Sequence, residues 1–169
     1  MPGPQMSRPF RSTAEHEPAH LARIPPLSPR TLIPLSEVTT ALVTFNRDYP
    51  RPGIGALSVS EPFFVIRDFQ KGNFPTARAA GVYLIFDHDE NLLYVGLARG
   101  LGRRLGAHFG WNADRSGGMI KNPIFKDAWS VRTIALPPGH RFEAAAVEAY
   151  LIAQLAPPVN TLGIRDRAL

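Results

Sequence analysis

Two short apolar runs joined by a polar five-residue segment set the strongest constraint on what this chain can fold into. Gly81-Val-Tyr-Leu-Ile-Phe86 is rich in branched and aromatic residues, and Leu92-Leu-Tyr-Val-Gly96 returns in kind. Asp87-His-Asp-Glu-Asn91 lies between them and has the composition of a surface turn. The pattern predicts an antiparallel β-hairpin with a loop longer than the two-residue kind. Side chains alternate across a strand. Tyr83 and Ile85 therefore share one face of the first strand, and Leu92, Tyr94 and Gly96 share one face of the second. The sequence does not fix the register, but it leaves both tyrosines free to point to the same side.

Beyond the hairpin the chain alternates between helix and strand patterns. Residues 99–109 predict a helix, although Gly100, Gly102 and Gly106 each cost about 1 kcal/mol relative to alanine. Packing through Leu101, Leu105 and Phe109 has to hold it, and the glycines admit close approach by a backbone or a ligand. Arg104 and His108 stand four residues apart and share a face. Residues 110–123 read as a polar loop around Gly117-Gly118. Residues 128–136 alternate as a strand. Residues 140–156 read as one helix, ended by Pro157-Pro158, after which residues 157–160 are expected to run extended. The order strand, strand, helix, strand, helix predicts an α+β fold, with a small, mostly antiparallel three-stranded sheet flanked by helices.

Ahead of this core the signals are weaker. Residues 1–30 hold seven prolines and several arginines, and read as a flexible extension. Residues 31–80 read as a second extension packed on the core. It comprises a short helix over 32–45 with Ser36 as N-cap, a loop over 48–55, a strand or docking segment over 62–67, and a connector. The expected organisation is thus 1–30, 31–80 and a core domain over 81–169.

Glu148 stands out within the last helix. Its neighbours at helical spacing are Ala144, Ala145, Leu151, Ile152 and Leu155, all apolar. This predicts a carboxylate on the buried stripe, whereas Glu143 lies off it and reaches water. A buried unpaired charge costs several kcal/mol or neutralises, so a cation or strong donors are expected beside it. The plain alternative is a structural ion pair with an arginine.

Composition narrows the class. The chain has no cysteine, which excludes disulfides, thiolate zinc sites and a cysteine nucleophile, and fits a reducing, cytoplasmic setting. No apolar run approaches the roughly 20 residues of a membrane span, and the first residues lack the apolar stretch of a secretory signal. The net charge is +5. Its whole excess falls in one stretch, where Arg99, Arg103, Arg104, Arg115, Lys121, Lys126 and Arg132 are opposed only by Asp114 and Asp127. Such a patch suits a polyanion such as nucleic acid. A solvated basic surface without a ligand is the alternative.

These residues together resemble the GIY-YIG nuclease superfamily. Its first signature tripeptide is matched by Gly81-Val82-Tyr83 and its second by Tyr94-Val95-Gly96, each with valine for isoleucine. The family's helical arginine, in a pattern like N-L-x-x-R-L-x-x-H, falls on Arg104, with His108 after it. Its glutamate, in a pattern like L-E-x-x-L-I-x-x-x-x-P-x-x-N, falls on Glu148, with Pro157 and Asn160 downstream. The chain departs at Leu97, where many members carry lysine or glutamine, and at Gly100, where asparagine is usual.

The resemblance implies a metal-dependent endonuclease that cleaves DNA phosphodiesters with one Mg²⁺ or Mn²⁺. Glu148 would hold the ion, Arg104 would grip the scissile phosphate, and Tyr83 would take the proton of the attacking water once a nearby cation lowered its pKa. Tyr94 would orient water or phosphate, His108 would assist proton transfer, and Asn160 would tie the chain end to the core. Arg99, Arg103, Arg115, Lys121, Lys126 and Arg132 would contact nucleic acid. A small single-site enzyme of this kind either nicks one strand or forms a homodimer for a double cut. The competing readings are a binding module of the same fold without turnover, and a protein–protein assembly unit using the proline-rich tail.

Overall fold

The computed structural model describes residues 32–160. The expected extension over 1–30 lies outside the described residues. One four-stranded antiparallel sheet forms the centre, with strands in the order β1 (Phe63–Phe64), β6 (Ser130–Ala135), β2 (Gly81–Phe86) and β3 (Leu92–Ala98). The expected α+β arrangement is present, and β1 adds a fourth, two-residue strand to the three expected.

β2 lies between β6 and β3 and is buried along its whole length. That explains why its sequence is a continuous apolar run rather than an alternating one, since both faces need cover. Val82, Leu84 and Phe86 pack with Leu92, Val95 and Ile134 under two helices, α1 (Leu35–Asp48) and α3 (Ala144–Leu155). Tyr83 and Ile85 face the other way. They pack with Leu93, Ala98 and Val131 and with α2 (Leu101–His108), which contributes Leu101 and Leu105. The sheet is therefore sandwiched between two helices on one face and one on the other.

The register pairs Tyr83 with Gly96 and Ile85 with Tyr94, so both tyrosines stand on the α2 face. Between Ile85 and Phe86 the register slips, and Phe86 pairs with Leu92. The extra residue, Leu93, turns to the α2 side and Leu92 to the α1 side. The expected alignment of Leu92 with Tyr94 is thus broken by a β-bulge, which moves everything beyond it to the opposite face.

Other local expectations also change. The first helix begins at Leu35 after Pro34, which takes the N-cap position without a side-chain cap, so Ser36 lies inside the first turn instead of capping it. Val38, Leu42 and Phe45 form its buried stripe. Phe45 meets Tyr150 of α3 edge-on, with ring centroids 5.2 Å apart. Residues 110–123 are not a simple loop. β4 (Phe109–Trp111) and β5 (Gly118–Ile120) pair as a second hairpin, which folds back so that Lys121 and Asn122 donate backbone N–H groups to the His108 carbonyl. At the end of α3, Ala156 adopts a left-handed conformation and residues 158–160 start a new helical turn, in place of the expected extended path.

Candidate active site

Close backbone packing creates the room for the site. A Cβ on Gly96 would stand 2.6 Å from the Cζ and Oη atoms of Tyr83 and 2.6 Å from Cε1 of Tyr94. Only glycine leaves both rings where they are. Gly81 meets a similar limit, since its Cβ would lie 2.1 Å from the Ile134 carbonyl oxygen. Gly102 lets α2 approach the backbone of Ala77, and Gly102 N–H donates to the Ala77 carbonyl at 2.8 Å.

Tyr83 is 1% exposed, but its hydroxyl is not isolated. Arg104 Nε donates to Tyr83 Oη at 3.4 Å, and His108 Nε2 lies 3.2 Å from the same oxygen. Arg104 and His108 occupy successive turns of α2, which is why a four-residue spacing brings both onto one phenol. Tyr94 flanks the group, its ring 5.8 Å from that of Tyr83 and 5.1 Å from Phe125. His108 is buried, and its ring meets Phe125 edge-on at 4.8 Å.

The electrostatics divide these groups. Burial pushes the Tyr83 phenol well above its usual range, the adjacent Tyr94 adds to that, and Arg104 opposes it without prevailing. The expected lowering by a nearby cation is therefore present as a contribution but outweighed by desolvation. Burial, reinforced by the Arg104 charge, lowers the His108 pKa, which favours the neutral imidazole.

Among the described residues, Glu148 shares no hydrogen bond or ion pair with this cluster. The buried stripe of α3 is Ala144, Val147 and Leu151, and Glu148 lies at its margin, half-buried. Its Oε1 accepts the Leu97 backbone N–H at 2.9 Å. Burial raises its pKa, and the bond from Leu97 partly offsets that shift. Among the described residues it makes no ion pair with an arginine. Glu143 takes that role instead. Its side chain is only 17% exposed and contacts Arg51 at 3.4 Å and His140 at 2.9 Å, contrary to the expectation that it reaches water.

Asn160 clasps the same edge strand. Its Oδ1 accepts from Val95 N and its Nδ2 donates to Val95 O, both at 2.8 Å. Glu148 and Asn160 thus hold the outer side of β3, while Tyr83, Tyr94, Arg104 and His108 gather on the α2 face.

The basic residues separate in the same way. Arg99, Arg103 and Arg104 line an open cleft of about 680 Å³ with Leu97, Gly100 and Ala107. Arg115, Lys121 and Lys126 are exposed on or just after the second hairpin, and Lys121 Nζ donates to the Gly106 carbonyl at 2.9 Å. Arg132 does not join them. It sits on the α1 face opposite Leu84, only 13% exposed, and is paired with Glu90 at 3.0 Å. Two contributors escape the sequence reading. Arg141, with Phe142, borders a neighbouring groove beside Leu97 and Arg99. Asn122 touches His108 from the second hairpin. No spacing signals either one, because each is delivered by a turn.

A family model describing the GIY-YIG catalytic domain matches residues 79–162. This segment belongs to the GIY-YIG nuclease superfamily. The match spans β2, β3, α2, the second hairpin, β6 and α3, and so includes every side chain of the cluster on Tyr83. No curated protein and no solved structure gives a significant match to the chain. Among the described residues, no group of three or more His, Cys, Asp or Glu side chains is placed to enclose a metal ion. None of the helices among them is long and apolar enough to cross a membrane. Any ion bound in the GIY-YIG domain would therefore rest on few protein ligands. Glu148 suits that role as a partly desolvated carboxylate, with one oxygen engaged by a neutral N–H and no cationic side chain paired with it among the described residues. Hard divalent ions accept such a site, completing their shell with water and substrate oxygens.

Proposed function

We propose that this protein is a metal-dependent endonuclease that hydrolyses DNA phosphodiester bonds in a cytoplasmic setting. The observation that carries the reading is the meeting of Arg104 and His108 on the buried Tyr83 hydroxyl, beside a cleft edged by arginines. Phosphodiester cleavage needs a held phosphate, a proton acceptor for water and stabilisation of developing charge. Arg104 is exposed enough to turn its terminal nitrogens to a phosphate while Nε keeps Tyr83 in place. Arg99 and Arg103 extend the cationic wall along which a nucleic-acid backbone would lie. Tyr83 Oη is the atom that would receive the proton of the attacking water. Tyr94 orients the water or phosphate on the same face. Glu148 would hold one Mg²⁺ or Mn²⁺, which supplies Lewis-acid stabilisation of phosphate oxygens when bound.

One observation favours a second reading. Burial holds Tyr83 in its protonated form, which weakens it as a base and suits a slow enzyme or a binding module. Plasmid cleavage by the purified protein, with and without Mg²⁺ or Mn²⁺, separates the two. The nuclease reading expects metal-dependent nicking that falls on the order of 10²–10³ in Arg104→Ala and disappears in Glu148→Gln. Salt-sensitive binding without cleavage of duplex, branched or single-stranded DNA would leave only the binding module. Full activity in Glu148→Gln would defeat the metal-site assignment.

A further inference from the structure

Asn122 links the second hairpin to the catalytic cluster in a way that fixes a proton. It caps the short 3-10 turn Pro123–Phe125, its Oδ1 accepting the Ile124 backbone N–H at 3.2 Å. An amide oxygen committed to a backbone donor sends its NH₂ group the opposite way. Asn122 Nδ2 accordingly lies 3.4 Å from His108 Nδ1. An NH₂ group can only donate, so Nδ1 has to be the bare, accepting nitrogen. A neutral imidazole has one ring proton, which then belongs to Nε2. Nε2 is the atom 3.2 Å from Tyr83 Oη.

Resting on the nuclease reading, we propose that Asn122 is a positioning residue that holds His108 in its Nε2–H tautomer, so that Tyr83 Oη receives two N–H donors, from Arg104 and from His108. The backbone supports this placement, because Lys121 and Asn122 both donate their N–H groups to the His108 carbonyl, at 2.8 and 3.2 Å. The hairpin end and the end of α2 are therefore locked together at the residue whose tautomer matters.

The consequence for the chemistry is specific. With its proton on Nε2, His108 has no lone pair directed at Tyr83 and cannot remove the phenolic proton. It acts instead as a donor to whatever charge appears on Oη. The Tyr83 proton has to pass to solvent instead of to His108, and the phenolate then takes one proton from the attacking water. His108 gains and loses none. In the opposite tautomer, Nε2 would compete for the Tyr83 proton and the oxygen would lose one of its two donors.

The test reads the tautomer directly. The full chain, labelled with ¹⁵N at histidine, is studied by long-range ¹H–¹⁵N correlation, with His108 assigned by the peak lost in His108→Gln. The wild type is expected to show a protonated Nε2 and a bare Nδ1. Asn122→Asp keeps an oxygen for Ile124 N–H and sets an acceptor against Nδ1, so the proton should appear on Nδ1. Single-turnover cleavage by that variant should fall roughly 10- to 100-fold, the usual cost of losing a group that orients a working imidazole. A wild type protonated on Nδ1 overturns the proposal, and so does an Asn122→Asp protein that keeps the wild-type pattern. The wild-type spectrum decides even where the variant fails to fold. If the protein proves to have no cleavage activity, the tautomer result still stands, and only the nuclease reading falls.

Discussion

Gly96→Ala tests most directly how the backbone builds this site. The added methyl carbon would sit 2.6 Å from Cζ and Oη of Tyr83. Carbon atoms in favourable contact lie about 3.5–4.0 Å apart, so the overlap is roughly 1 Å. Tyr83 has nowhere to retreat, being 1% exposed with Arg104 and His108 on its hydroxyl. Overpacking of this kind costs about 1–3 kcal/mol. For a chain of this length that corresponds to a fall in Tm of roughly 3–10 °C. The larger effect is on rate. A displacement near 1 Å breaks both contacts to Oη, and a misplaced catalytic group costs about 10²-fold. Gly106→Ala is the control, because nothing lies within 4 Å of its added methyl and α2 gains about 0.5–1 kcal/mol from the better helix former. Urea melts and single-turnover cleavage of both variants give the answer. A Gly96→Ala protein as stable and as fast as wild type would refute the reasoning, as would an equal loss in Gly106→Ala.

Other contacts carry their own expected outcomes. Because folding lowers the His108 pKa, the unfolded chain binds more protons than the folded one between the folded value and the ordinary 6.5. The stability from this group is present above that window and is lost as the pH falls through it, so urea melts should show a drop on acidification that is smaller in His108→Gln. Asn160→Ala removes both 2.8 Å bonds to Val95 and should lower stability by about 1–3 kcal/mol, measured in urea; an unchanged midpoint would mean that water replaces the amide at no cost. Ser130 Oγ is buried without a hydrogen-bond partner among the described residues, so Ser130→Ala should be neutral or stabilising by thermal melting. Glu148→Gln removes a carboxylate whose ionised form burial disfavours, and should hold or raise Tm in the absence of divalent ions; added Mg²⁺ should raise the wild-type Tm but not that of the variant.

The features legible in the sequence were those that depend on local periodicity. The apolar runs of β2 and β3, the alternation in β6 and the spacing of Arg104 to His108 are properties of neighbouring residues, and each gave the right element. The bulge at Leu93 was not legible, because one inserted residue leaves composition unchanged while reversing a face. The apolar neighbours of Glu148 predict a buried stripe, yet Ala145 is exposed and Ile152 and Leu155 are only partly buried, since an apolar residue on a helix does not by itself mark the covered side. Glu143 escaped because its partner Arg51 lies 92 residues away in sequence. Arg132 looked like part of a basic run, but strand alternation turned it to the α1 face, where Glu90 neutralises it. The second hairpin was hidden by its glycines and polar residues, and Asn122 was hidden with it.

The grip of Glu148 and Asn160 on β3 has a practical consequence for handling the protein. β3 is an outermost strand, and bare amides on such a strand invite pairing with another chain. Here the N–H groups of Val95 and Leu97 and the Val95 carbonyl are already occupied by two side chains. A knockout made by Glu148→Ala would strip that cover and leave a sticky margin as well as an empty site, so clumping could be mistaken for loss of chemistry. Glutamine keeps an oxygen for Leu97 and leaves the margin sealed, which makes it the cleaner choice for trapping a substrate complex.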